Sequence, residues 1–98
     1  TLFRSIEDSQ ELEILVENAS DDEMSGLNVK ITHVKEFFEK EVFNQTINQW
    51  FPGEELLFIS PVIPHINEYL FFIVKENNEK KNLISKKIDV ENIHKIKS

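Results

Sequence analysis

From Glu11 to Glu17 apolar and acidic positions alternate, with Leu12, Ile14 and Val16 set against Glu11, Glu13 and Glu17. A period of two puts each set on its own side of an extended backbone, so the segment predicts a strand with one dry face and one wet face. Leu27, Val29 and Ile31 repeat the pattern against Asn28, Lys30 and Thr32, and the intervening Asn18 to Gly26 is rich in Asn, Ser, Asp and Glu, which is loop chemistry. The two runs are read as antiparallel strands joined by an acidic loop.

The pattern loses its regularity from Val34 to Trp50. Val34, Phe37, Phe38 and Val42 would share one face of a helix, whereas Phe43, Ile47 and Trp50 fall away from it. Val42, Phe43, Thr46 and Ile47 are strand formers, so short strands over 36–40 and 42–49 are expected, with a helix as the alternative. Pro52-Gly53 then marks a turn, because Pro pre-sets one backbone dihedral and Gly permits the left-handed one beside it. Leu56 to Ile59 is apolar on both faces and predicts a short buried strand over 55–60, stopped by Pro61 and Pro64, which cannot donate ladder hydrogen bonds. Tyr69 to Val74 is another aromatic and β-branched run, and Leu83 to Val90 predicts a last strand pairing back on it across the polar turn 77–82. About seven short strands at turn spacing predict an all-β fold, an antiparallel immunoglobulin-like β-sandwich with its core between about residues 11 and 90 and a tail from 91.

A resemblance fits this order. The elements Val16-Glu17-Asn18, Gly26-Leu27-Asn28-Val29-Lys30-Ile31, Trp50-Phe51-Pro52-Gly53-Glu54-Glu55 with Phe58, and the strand Tyr69 to Val74 resemble immunoglobulin-like domains of the CARDB and NEW3 type. The resemblance implies a non-catalytic adhesion or spacer module attached to a larger surface protein or enzyme, and so a place at the cell surface.

The 98 residues suffice for one domain, and the opening Thr1 is read as the start of an excised domain or processed product. With no cysteine there are no disulfides, thiolate metal sites or cysteine nucleophiles. No apolar run approaches the roughly 20 residues of a spanning helix, so membrane insertion is not expected. Residues 1–74 carry 4 basic and 14 acidic side chains, whereas 75–98 carry 7 basic and 4 acidic. The acidic body argues against nucleic acid, which needs clustered cations.

Candidate chemistry is sparse. His33, His65 and His94 are far apart in sequence, no Gly-rich phosphate loop is present, and no cofactor is implied. Asp21, Asp22 and Glu23 lack EF-hand spacing, and Glu54 and Glu55 are adjacent, so a strand would point them to opposite faces. Asn18-Ala19-Ser20 and Asn44-Gln45-Thr46 match the N-glycosylation pattern, of which about one match is expected by chance in a chain with this much Asn, Ser and Thr. Aromatic side chains are the main resource. Trp50 is read first as packed under the sandwich; in the competing reading Phe37, Phe38, Trp50 and Phe51 are an exposed contact for a protein or a stacking platform for a sugar. Lys80, Lys81, Lys86 and Lys87 are candidate charge contacts on a final edge strand, through which a neighbouring domain or a second copy would dock on the acidic body. The expected function is a non-catalytic protein-interaction or spacer module, with carbohydrate binding as the alternative.

Overall fold

A computed structural model describes residues 11–77 and 82–91 in full and the backbone of 2–7. Among the described residues there are seven strands: β1 (Leu2–Glu7), β2 (Leu12–Glu17), β3 (Met24–Lys35), β4 (Phe38–Trp50), β5 (Glu55–Ser60), β6 (Glu68–Glu76) and β7 (Asn82–Ile88). All pairings are antiparallel, in a three-stranded sheet ordered β1-β2-β5 and a four-stranded sheet ordered β4-β3-β6-β7. The all-β expectation holds.

Alternation sets which side chains go in. Leu12, Ile14, Val16 and Phe58 of the first sheet join Leu27, Val29, Ile31, Ile47, Trp50, Leu70, Phe72, Val74 and Ile88 of the second in one buried cluster. Phe58 links the layers, with its ring 6.0 Å from Phe43 and 5.6 Å from Phe72. The sheets therefore pack face to face through a core drawn from both.

Four expectations need correction. The runs around Leu12 and Leu27 do not pair with each other: β2 lies between β1 and β5, while β3 lies between β4 and β6. Alternation identifies the dry face of each strand but not the sheet it joins, and the loop 18–23 crosses between the layers. Second, residues 38–50 form one long strand instead of two short ones or a helix. Register shifts after Ile31, which pairs with Phe43 while Thr32 pairs with Glu41, leaving Val42 as the extra residue of a bulge. That insertion breaks the period of two and lets the adjacent Val42 and Phe43 both pack on the core. Third, β5 is not buried on both faces, since Leu57 and Ile59 lie on the outside of their sheet. Fourth, the pattern predicts no strand before residue 11, whereas β1 pairs along the whole of β2, from Leu2 opposite Glu17 to Glu7 opposite Leu12. The expected count of seven strands is matched only because the missed β1 offsets the split of β4.

The crossover loop is fixed by Asn18, whose side chain is buried. Its Nδ2 donates to the carbonyls of Asp22 at 2.9 Å and Trp50 at 3.0 Å, and its Oδ1 accepts from Ser20 N at 3.1 Å and Ser20 Oγ at 2.6 Å. Its backbone ties in the Pro-Gly turn, with Gly53 N donating to Asn18 O at 2.7 Å. Glu54 N donates to Phe51 O at 3.1 Å, and Gly53 has φ +79°, the combination of a type II turn with Pro52 first and Gly53 second. Asn18 therefore serves the fold, and its buried amide cannot also carry a glycan.

Candidate functional site

β3 pairs with β4 on one side and β6 on the other, with Lys35 opposite both Phe38 and Glu68. This shared register sets two turns side by side at one end of the four-stranded sheet. One is the tight β3–β4 connection at Glu36-Phe37. The other runs from His65 to Glu68, closed by Glu68 N donating to His65 O at 3.0 Å. Asn67 has φ +68°, which a type II turn requires at its third position and which Asn tolerates, so Ile66 stands at the turn's crest.

These turns display apolar side chains. Phe37 is 99% exposed, Ile66 80% and Phe38 44%. With Lys35, Glu36 and Glu68 they surround an open cleft of about 610 Å³. A neighbouring cleft of about 670 Å³ continues from Ile66 past Tyr69 to Lys87 and Asp89. Glu36 has φ +31°, in the left-handed region that Gly and Asn prefer, so backbone strain is held at the crest that presents Phe37.

A polar pair adjoins the cleft through Glu68. His33 Nε2 lies 2.8 Å from Glu68 Oε1, which also accepts from His65 N at 3.4 Å. An ionised carboxylate only accepts, so the His33 nitrogen facing it carries the hydrogen. Above this pair, the Phe38 ring meets the His33 ring edge-on at 6.2 Å, and Lys35 Nζ sits 5.3 Å from the Phe38 centroid. The bond from His33 holds the Glu68 carboxyl below its ordinary range, helped by the His65 amide and opposed by burial. Because the folded value is lowered, the stabilisation is present above the ordinary glutamate range and is lost as pH falls through the lowered value. A Glu68→Gln variant should thus be less stable than the parent at pH 7, by a margin that shrinks when denaturant melts are repeated below about pH 4. A margin independent of pH would show that the charge on Glu68 contributes nothing.

The aromatic residues singled out in the sequence do not form one surface. Trp50 is 0% exposed, and its Nε1 donates to Glu54 O at 2.9 Å, so it belongs to the core and offers no stacking face. Phe51 is exposed beside the Pro-Gly turn, at the opposite end of β4 from Phe37 and Phe38. Ile66, which completes the exposed group, was missed because a lone isoleucine after Pro64-His65 carries no periodic signal. The His33–Glu68 pair spans 35 positions and leaves no trace in local spacing.

Lys86 and Lys87 are exposed on β7, an edge of its sheet, and Lys87 Nζ lies 4.7 Å from the Tyr69 ring centroid. Lys86 pairs opposite the buried Phe72, which sets it on the core-facing side of the edge, a placement that discourages strand addition. Lys80 and Lys81 lie outside the described residues. Among the described residues no three His, Asp or Glu side chains converge into a metal-holding group, and no helix is long and apolar enough to cross a membrane. Asp21, Asp22 and Glu23 are exposed on the crossover loop.

No protein-family model matches the chain, and no curated protein or solved structure matches it significantly.

Proposed function

We propose that this chain is an immunoglobulin-like module without catalysis of its own, which holds a partner protein at the end bearing Phe37, Phe38 and Ile66. Strand order supports the fold reading. Taking β1 to β7 as A, B, C, C′, E, F and G, the orders A-B-E and C′-C-F-G are those of a constant-type immunoglobulin sandwich with its D strand replaced by C′. The observation that carries the functional reading is the pair of turns brought side by side by the Lys35 register, presenting Phe37 and Ile66 to solvent. Exposing such side chains forgoes roughly 1.5 to 3 kcal/mol of burial for each, a loss that contact with a partner recovers. The strained backbone at Glu36 points the same way, since strain of this kind collects at functional turns.

The carbohydrate reading loses Trp50, its strongest residue, and keeps only the smaller rings of Phe37 and Phe38 at one end of β4 and of Phe51 at the other. Its place is as an outcome of the test. A photoreactive phenylalanine analogue installed at Phe37 or Ile66, in the protein expressed in its native cell, should form crosslinks to a defined protein segment, while the same group at exposed Glu39 should not. Crosslinks no more frequent at 37 and 66 than at 39 would dismiss the protein-contact reading, and capture of glycans alone would replace it with sugar binding.

A further inference from the structure

The sheets have four edge strands, β1 and β5 on one and β4 and β7 on the other. Edges with unpaired backbone groups recruit other strands unless charge or shape prevents it. β1 contains Arg4 and Glu7, β4 contains Glu39, Lys40 and Glu41, and β7 contains Lys86 and Lys87. β5 differs: after Glu55 it reads Leu56-Leu57-Phe58-Ile59-Ser60, with no charge.

The ladder settles which backbone groups of β5 face outward. Asn18 N donates to Glu54 O at 3.1 Å, in line with the β2–β5 register. Antiparallel bonding alternates, so Leu56, Phe58 and Ser60 bond back to β2, while Leu57 and Ile59 turn their N–H and C=O groups toward the edge. Among the described residues no strand occupies that edge. Leu57 and Ile59 are also 50% and 39% exposed on the sheet's outer face, where Leu57 pairs across from Leu15.

We infer that β5 is a strand-addition edge and that its occupant is β5 of a second copy, antiparallel and centred on Phe58. In this register Leu57 of each copy lies opposite Ile59 of the other, and the outward backbone groups of both residues exchange hydrogen bonds. Leu57 and Ile59 also form apolar cross-strand pairs on the outer face. Glu55 of each copy falls opposite Pro61 of the other, so no like charges meet. The strand is thus its own complement. The contact is isologous and closes at two copies, joining two three-stranded sheets into one of six strands.

The strength follows from size and charge. An edge of six residues buries well under the roughly 1,200 Å² of a standard interface, so the dimer forms only at high protein concentration. Each copy carries a net charge of −7, which opposes approach, so salt strengthens the pairing. A contact between the basic end and the acidic body would weaken with salt instead.

Sedimentation velocity over a wide concentration range, at low and high salt, tests the inference. The parent should shift toward dimer as concentration and salt rise. Leu57→Lys, which adds charge at the edge, and Ile59→Pro, which removes an outward N–H, should each raise the dimer dissociation constant by about tenfold or more. Circular dichroism and denaturant midpoints matching the parent would establish that either variant is folded; both sites are exposed, and proline is tolerated at an edge where its missing N–H faces out. A parent that stays monomeric throughout would overturn the proposal. So would a dimer unchanged in a folded Leu57→Lys variant, or one abolished by Lys86→Glu with Lys87→Glu or by Phe37→Ser.

Discussion

Replacing Phe58 by alanine should lower the unfolding free energy by about 3 to 5 kcal/mol, with a similar loss for Phe72→Ala. Phe58 is buried and belongs to the smaller sheet, yet its ring reaches Phe43 and Phe72 of the larger one. Truncation would open a cavity between the layers, where backbone hydrogen bonding within each sheet keeps the walls from collapsing onto it. Because the two rings are in contact at 5.6 Å, the double variant should lose less than the sum of the single losses. Denaturant melts of the three variants check both points. Losses below about 1 kcal/mol for each single variant would mean that Phe58 does not join the layers as described.

The second large effect is expected at Asn18, where Asn18→Ala should cost about 2 to 4 kcal/mol although it removes little apolar surface. The side chain donates to the carbonyls of Asp22 and Trp50 and accepts twice from Ser20, within a buried corner. Alanine would strand the Trp50 carbonyl away from water, and an unsatisfied buried acceptor carries its full desolvation cost. Asn18→Asp keeps the acceptor oxygen but loses both donated bonds and buries a charge, so it should be at least as damaging as alanine. If instead aspartate were as stable as the parent in urea melts, the donated bonds would not be what holds the crossover loop.

The end bearing Phe37, Phe38 and Ile66 was only partly legible. Phe37 and Phe38 stood out because their segment fits neither a clean strand nor a clean helix, and that irregularity has two causes: a tight turn at Glu36-Phe37 and a bulge at Val42. Ile66 reaches the same cleft through the β3–β6 register, which nothing local to Pro64-His65-Ile66 reports. Trp50 shows the opposite case: it is expected under the sandwich and is fully buried, while its apolar neighbour Phe51 is exposed. Its burial follows from the fold of the Pro-Gly turn, which brings the Glu54 carbonyl to its indole nitrogen.

Local order alone determined most of the strands. The alternation at Leu12–Val16 and Leu27–Ile31, the Pro52-Gly53 turn, the prolines ending β5 and the return of β7 onto β6 are all near-neighbour effects, because side-chain period and turn dihedrals depend on adjacent residues. The tertiary structure decided which sheet each strand joins, that 38–50 is one bulged strand, that β1 extends the smaller sheet, and that Leu57 and Ile59 face outward. Those outcomes depend on pairings between residues distant in the chain, where alternation marks a dry face without naming what covers it. The physical reason is that a strand satisfies only half of its backbone groups with any one neighbour. Its identity as inner or edge, buried or open, is therefore fixed only when the other strands have taken their places.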